Sequence, residues 1–174
     1  AAQRMQTAAR KALPQARLDG FLVEPMIRRP HAQELFLGVT HDPTFGPVIA
    51  FGHGGTAIEV INDKAIGLPP LNITLAKAMI RETRIGRLLA GYRDRPQADL
   101  DAIARALVAL SDLVVNHPEI VDLDVNPLLA DEHGIIALDA RIRVDHGTPR
   151  DRLVICPYPA RLEQTHQLRT GEHV

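Results

Sequence analysis

The sequence predicts an α+β domain, a mixed but mostly antiparallel sheet flanked by helices, and three observations point to it. Short apolar runs separated by turn residues crowd the first third of the chain. One long stretch, Ala98 to Asn116, carries an unbroken apolar stripe at helical spacing. Ile120 to Ile142 alternates apolar with polar residues on either side of a His133-Gly134 turn. Strands and helices follow one another in mixed order, which is the α+β pattern.

The first element, Ala1 to Leu13, reads as an amphipathic helix. Gly20 to Ile27 is a short apolar run of the kind expected for a buried strand, ended by Arg28-Arg29-Pro30. A second strand is expected over Gln33 to Thr40, closed by His41-Asp42-Pro43, and a third over Phe45 to Phe51. The turn Gly52-His53-Gly54-Gly55-Thr56 then leads to a fourth, Ala57 to Ile61. Leu68-Pro69-Pro70-Leu71 breaks the pattern. Asn72 can cap a helix starting at Ile73, because its side-chain oxygen accepts from an orphan amide of the first turn. Apolar residues then recur at helical spacing, first Leu75, Ala78 and Met79, then Ile85, Leu88 and Leu89. In the long helix, Leu100, Ile103, Ala104, Leu107, Leu110, Leu113 and Val114 form the stripe that should cover one face of the sheet. A strand hairpin follows, Ile120 to Leu129 returning through Ile135 to Ile142. Beyond Asp145-His146-Gly147-Thr148-Pro149 the chain turns polar and proline-rich and reads as a linker over 148–174, with a short strand expected at Leu153 to Ile155.

Composition narrows the function. The 174 residues are 45% hydrophobic and 24% charged, an ordinary globular balance sufficient for one substantial core. With 20 basic against 21 acidic residues spread along the chain, no electrostatic footprint for nucleic acid or an anionic membrane is present, so any bound anion must be held locally. The single cysteine, Cys156, excludes an internal disulfide framework and a cysteine-based zinc site, which suits a reducing compartment, with the cytoplasm the simplest reading. No apolar run approaches the roughly 20 residues that span a bilayer. Aromatic residues are 3% of the chain, so platforms for stacking bases are scarce.

Two constellations carry chemistry. In Asp124-Val125-Asn126-Pro127-Leu128, two-residue periodicity puts Asp124 and Asn126 on one strand face, and an antiparallel return through Ala137-Leu138-Asp139-Ala140 can bring Asp139 beside them. Three oxygen donors on rigid strands, one of them neutral, suit a hard cation such as Mg²⁺. On spacing alone, however, solvent-facing carboxylates of a half-exposed strand are the commoner source of such a pattern. In Gly52-His53-Gly54-Gly55-Thr56, missing β-carbons allow backbone amides to approach phosphate oxygens. The same turn also serves a plain glycine-rich hairpin, and without a lysine it is not a Walker motif.

Read together in order, several segments resemble the ATP-grasp part of ADP-forming acetyl-CoA synthetases and, more distantly, the β subunit of succinyl-CoA synthetase. They are Gly38-Val39-Thr40-His41-Asp42-Pro43-Thr44-Phe45-Gly46-Pro47-Val48, Gly52-His53-Gly54-Gly55, Pro69-Pro70-Leu71, Leu89-Ala90-Gly91-Tyr92-Arg93, Leu123-Asp124-Val125-Asn126-Pro127-Leu128 and Ala137-Leu138-Asp139-Ala140-Arg141. The resemblance runs from about Leu18 to about Val144. It implies the carboxy-terminal subdomain of an ATP-grasp fold over 18–147, preceded at 1–17 by the end of the first subdomain. It implies Mg²⁺ on Asp124, Asn126 and Asp139, and ATP or ADP phosphates under Gly52, Gly54 and Gly55. His53 departs from the usual apolar residue there, which touches only the shape of the loop. Val23-Glu24-Pro25-Met26 resembles the hinge past the adenine, which implies Glu24 and Met26 as nucleotide contacts, and Glu34 resembles an acidic residue facing the cleft.

The function so implied is the nucleotide and Mg²⁺ share of an ADP-forming acid-thiol ligase, which interconverts acyl-CoA, ADP and phosphate with carboxylate, CoA and ATP. The phosphate-clasping lysines of the first subdomain, a CoA-binding domain and a phosphate-carrying histidine segment are then expected in the rest of a parent protein or a partner subunit, and the isolated chain is expected to be inactive. Leu153 to Leu162 with Leu168-Arg169-Thr170-Gly171 resembles the linker to a GNAT domain in multidomain protein lysine acetyltransferases. That resemblance implies an alternative, a non-catalytic regulatory synthetase-like region.

Overall fold

The computed structural model describes residues 1–55, 62–93, 95–145, 147 and 153–155. The elements are α1 (Ala2–Ala12), β1 (Gln33–Asp42), β2 (Gly46–His53), β3 (Lys64–Gly67), α2 (Ile73–Glu82), α3 (Arg84–Leu89), α4 (Leu100–Asn116), β4 (Ile120–Asp131), β5 (Gly134–Ala137) and β6 (Ala140–Val144). The expected strand at Ala57 to Ile61 and most of the expected linker lie outside the described residues.

All six strands join one antiparallel sheet in the order β3-β2-β1-β4-β5, with β6 also paired to β4. The α+β expectation therefore holds, and the sheet is antiparallel throughout its described pairs. Leu35, Leu37 and Val39 on β1, Ile49 and Phe51 on β2, and Leu123, Leu128 and Ala130 on β4 turn one face inward. There they pack with Ala76, Met79 and Ile80 of α2, Ile85 and Leu89 of α3, and Ile103, Ala104, Leu107, Leu110 and Val114 of α4. Burial of this many apolar side chains is the main driving force, each Leu, Ile, Val, Phe or Met worth about 1.5–3 kcal/mol when fully covered. Among the described residues, helices cover this face alone. The other carries Gly38 and Thr40 of β1, Asp122 and Asp124 of β4, and Arg141 and Arg143 of β6, as the alternation and register require.

One irregularity sets where the site forms. Leu35 pairs with Leu128 but Leu37 with Val125, so Asn126 and Pro127 together oppose the single residue Phe36. This β-bulge shifts the phase of β4, so that Leu123 and Leu128 both reach the core although an even number of residues lies between them. Proline fits there because it has no N–H to give to the ladder.

The start of α2 is as the sequence predicts, and α4 begins at Leu100, just inside the expected Ala98. Asn72 Oδ1 accepts from Leu75 N–H at 2.9 Å, and Asp99 Oδ1 from Ala102 N–H at 2.8 Å. The apolar spacing through Leu89 does not make one helix, however. Thr83 ends α2 and its hydroxyl caps α3, accepting from Gly86 N–H at 3.1 Å.

Two expected strands are corrected. Gly20 to Ile27 is coil, with Leu22, Val23 and Met26 exposed at 86%, 89% and 81%. A continuous apolar run suits a strand covered on both faces, whereas this sheet covers one, and Pro25 removes a ladder donor. The segment is fastened just beyond, where Arg29 Nη1 donates to Asp131 Oδ1 at 2.8 Å and to the Gly134 carbonyl at 3.2 Å. Leu153 to Ile155 is coil and bend, with Val154 and Ile155 about half exposed, so burial does not drive a strand there. Helix α1 forms over the expected range but buries no residue.

Asp63 is a joint that the sequence does not advertise. Its carboxylate accepts from Arg84 N–H at 2.7 Å and Ile85 N–H at 2.8 Å at the start of α3, while its carbonyl accepts from His53 N–H at 3.1 Å. Replacing it, Asp63→Ala, is expected to cost about 1–2 kcal/mol through two orphaned helix-start donors. Thermal unfolding should register this as a fall in Tm of about 2–4 °C per kcal/mol, and an unchanged Tm would show that the cap is dispensable.

Candidate metal and phosphate site

The glycine turn leaves the end of β2 and passes over the start of β1 to reach β4. Gly54 N–H donates to the Glu34 carbonyl at 2.8 Å, and a β-carbon on Gly54 would collide with the Leu35 carbonyl. Gly55 adopts φ +78°, and a β-carbon there would strike Glu34 Oε2. Both positions thus need glycine, one for close approach and one for backbone conformation as well. Gly55 N–H donates to Asn126 Oδ1 at 2.8 Å, a part-buried bond between residues 71 apart in sequence.

On the far side of β4, Asn126 and Asp139 meet across the ladder. Asn126 N–H donates to the Asp139 carbonyl at 3.2 Å, and Leu138 N–H to the Pro127 carbonyl at 3.0 Å. Two strands, β5 and β6, make the expected single return strand, and Asp139 occupies the gap between them with 53% of its side chain exposed. Asp124 pairs with Arg141 of β6, whose Nε lies 3.4 Å from Asp139 Oδ2.

Asp124 Oδ1 is buried and has no hydrogen-bond partner among the described residues. Burial pushes the Asp124 carboxyl above the usual carboxylate range; the charge of Asp139 adds to the rise, and Arg141 opposes both. These two aspartates therefore sense one another, and the neutral Asn126 adjoins them. No three His, Cys, Asp or Glu side chains gather into a metal cluster among the described residues. The donor set is instead two carboxylates and an amide oxygen, hard ligands that fit Mg²⁺ or Ca²⁺, and the orphaned Asp124 oxygen is the atom that a cation would satisfy.

The structure brings together Glu34, Gly54, Gly55, Asp124, Asn126 and Asp139. Gly52 belongs to the base of the turn, where its hydrogen in place of a side chain admits the Asp63 carbonyl. Glu24 and Met26 stand apart, both exposed on the coil before Arg29, with no hydrogen bond or ion pair to the cluster among the described residues. Arg141 had a readable signal, since it follows Asp139 by two residues on a strand and so shares its face. Two concavities, ≈ 470 Å³ between Lys77, Arg81 and Asp99 and ≈ 450 Å³ beside Tyr92, Arg93 and Arg95, lie elsewhere. The candidate site is an open sheet face.

The ATP-grasp domain family matches residues 1–144, and the chain belongs to it. Within that family it is similar to ADP-forming acetate–CoA ligases. It is 39% identical to acetate–CoA ligase [ADP-forming] I of Archaeoglobus fulgidus over 75% of this chain and 19% of that protein. It is 36% identical to the β subunit of acetate–CoA ligase [ADP-forming] I of Pyrococcus furiosus over 77% of this chain and 57% of that subunit. The acetyl-coenzyme A synthetase 1 of Ca. Korarchaeum cryptofilum, solved with coenzyme A and Ca-AMPCP, superposes with TM-score 0.70 at 31% identity, covering 83% of this chain and 62% of that one. The same enzyme has been solved with Mg-AMPPCP, and that structure superposes with TM-score 0.64 at 37% identity over 67% of this chain and 55% of that one. The chain thus spans between a fifth and two thirds of these relatives. No helix among the described residues is long and apolar enough to cross a membrane.

The Asp124 shift has a sign. Folding raises its pKa, so its contribution to stability is present below the unfolded value and is lost as pH rises through the folded value. At neutral pH without metal the ionised group opposes folding. Asp124→Asn is expected to raise Tm at pH 7 in EDTA, with the gain vanishing as pH falls to about 4; a loss of Tm at pH 7 would contradict it.

Proposed function

We propose that this chain provides the metal- and phosphate-binding face of a nucleotide site in an ADP-forming acyl-CoA synthetase. The observation that carries the reading is the buried oxygen of Asp124, without a hydrogen-bond partner among the described residues and within the field of Asp139, on the strand whose Asn126 side chain accepts from the glycine turn. In this reading Asp124, Asn126 and Asp139 hold Mg²⁺, and Gly52, Gly54 and Gly55 keep the turn low enough for phosphate oxygens to approach. Glu34 borders that approach from β1, and the resemblance assigns Glu24 and Met26 to the adenine although they stand apart from the cluster here.

A divalent cation held by Asp124, Asn126 and Asp139 would supply positive charge that offsets the negative charge of phosphoryl transfer. The chain's own residues orient that metal from rigid strands. Arg141 restrains Asp139, and the bulge at Asn126 aims the amide oxygen toward the turn. The whole reaction is the interconversion of acyl-CoA, ADP and phosphate with carboxylate, CoA and ATP, with the CoA and phosphate-carrying machinery supplied by the parent protein or a partner subunit. The similarity to acetate–CoA ligases and to a synthetase solved with Mg²⁺ and Ca²⁺ nucleotide analogues supports this assignment.

Nuclear magnetic resonance titration of the full chain with Mg²⁺-ADP tests it. Binding is expected to be weak, about millimolar, because association costs of roughly 4–15 kcal/mol must be offset by part of a clasp. The amide resonances of Gly54, Gly55, Asn126 and Asp139 should shift together, and Asp139→Ala should remove the Mg²⁺-dependent part of the shift. Silence at these amides in the wild type up to the solubility of the nucleotide would sink the reading.

A further inference from the structure

The amides of the glycine turn are already committed. His53 N–H donates to the Asp63 carbonyl at 3.1 Å and Gly54 N–H to the Glu34 carbonyl at 2.8 Å. Both acceptors are main-chain atoms held by the sheet and the joint before α3. Gly55 N–H alone of the three donates to a side chain, Asn126 Oδ1, at 2.8 Å. A phosphate therefore cannot draw on the first two without dismantling β1 pairing or the Asp63 joint. It can draw on the third by displacing one amide oxygen.

We propose that Asn126 is a latch as well as a metal ligand: it holds Gly55 N–H in the empty site and surrenders it to a phosphate oxygen when its own Oδ1 turns to the cation. Asn126 thereby becomes a positioning residue for the turn, acting through Gly55. The metal and phosphate parts of this exchange rest on the nucleotide reading above. The exchange is favourable on chemical grounds. A neutral amide–amide hydrogen bond is replaced by a charge-assisted N–H···O⁻ bond, which is roughly twice as strong, and by an oxygen–cation contact. Asp124, two residues before Asn126 on β4, has a buried Oδ1 with no hydrogen-bond partner among the described residues, so as a second ligand it would break no bond. Gly55 can make the change because its φ of +78° lies where glycine moves freely and a bulkier residue would not. Glu34 Oε2 lies where a β-carbon on Gly55 would begin, so glycine at this position leaves the carboxylate its place beside the turn.

The latch makes metal-free and metal-bound affinities move in opposite directions. In Asn126→Ala, with metal absent, Gly55 N–H has no partner to leave. Its hydrogen exchange in the ligand-free chain should rise about fivefold, the worth of one net hydrogen bond, while Gly54, bonded to Glu34, should not change. ADP affinity in EDTA should rise by the same factor, and the gain in affinity on adding Mg²⁺ should fall. A residue that only ligated metal would leave both EDTA measurements unmoved. Equal acceleration at Gly54 and Gly55, or none at either, would overturn the proposal. So would a weaker EDTA affinity for ADP in the variant. Should the variant fail to fold, the wild type decides. Mg²⁺-ADP must then deshield the Gly55 amide proton more than Gly54's, and Mg²⁺ alone must speed Gly55 exchange; failure of either rejects the latch. ADP binding absent from wild type and variant alike would instead refute the nucleotide reading, and the ligand-free exchange comparison would still judge whether Asn126 holds the turn.

Discussion

Strand β4 has to satisfy two surfaces at once, and the extra residue at Asn126–Pro127 is how it does so. Leu123 and Val125 point to the helices before the bulge and Leu128 and Ala130 after it, so the core stays continuous through a phase change. Without the added residue, either the second pair would turn to solvent or Asn126 would be a regular ladder residue. The bulge lets a polar side chain leave the strand toward the glycine turn while the strand keeps its apolar contacts. The aspartates inherit their positions from it, because the return chain breaks into β5 and β6 opposite the same two residues.

Close approach is the second constraint. The turn lies so low that Gly54 and Gly55 face oxygens of β1, and Gly52 the carbonyl of Asp63, where a side chain would begin. Packing this tight draws on backbone hydrogen bonds from β1 and from Asp63, so the turn is fixed at its base and adjustable only at its tip. Asp124 adds an electrostatic cost that the fold tolerates. Its carboxyl is partly desolvated and close to a like charge, and Arg141 offsets only some of this. A group held under such conditions is a frequent mark of a binding site.

Much of this was legible in the sequence, for identifiable reasons. Elements with strong periodicity came through: β1, β2, β4 and α4 follow the expected runs, and Asn72 caps its helix as its side-chain chemistry dictates. The register that sets Asn126 opposite Asp139 and Asp124 opposite Arg141 was readable too, since antiparallel pairing is arithmetic once the turn at His133-Gly134 is fixed. What was not legible depends on tertiary context. Lys64–Gly67 is too short and too exposed at Ile66 for a pattern, and becomes a strand only because β2 offers an edge. Gly20 to Ile27 has the composition of a buried strand but no second covered face to occupy. Nothing local to Asp63 announces a helix cap about twenty residues downstream. Glu24 and Met26 were implied by resemblance alone, and the described residues give them no contact with the cluster.

Helices on a single side of the sheet have an evolutionary corollary. Alternate residues of β1, β4 and β6 answer to different demands, one set to cohesion and the other to whatever chemistry the bare side performs. Thr40 and Arg143 both donate to Asp122, so on that side change at one of the three bears on the other two, while Leu37, Val39 and Leu123 keep the scaffold intact. Position 126 is the exception, since its main chain belongs to the scaffold and its amide group to the chemistry, so change there is answerable to both.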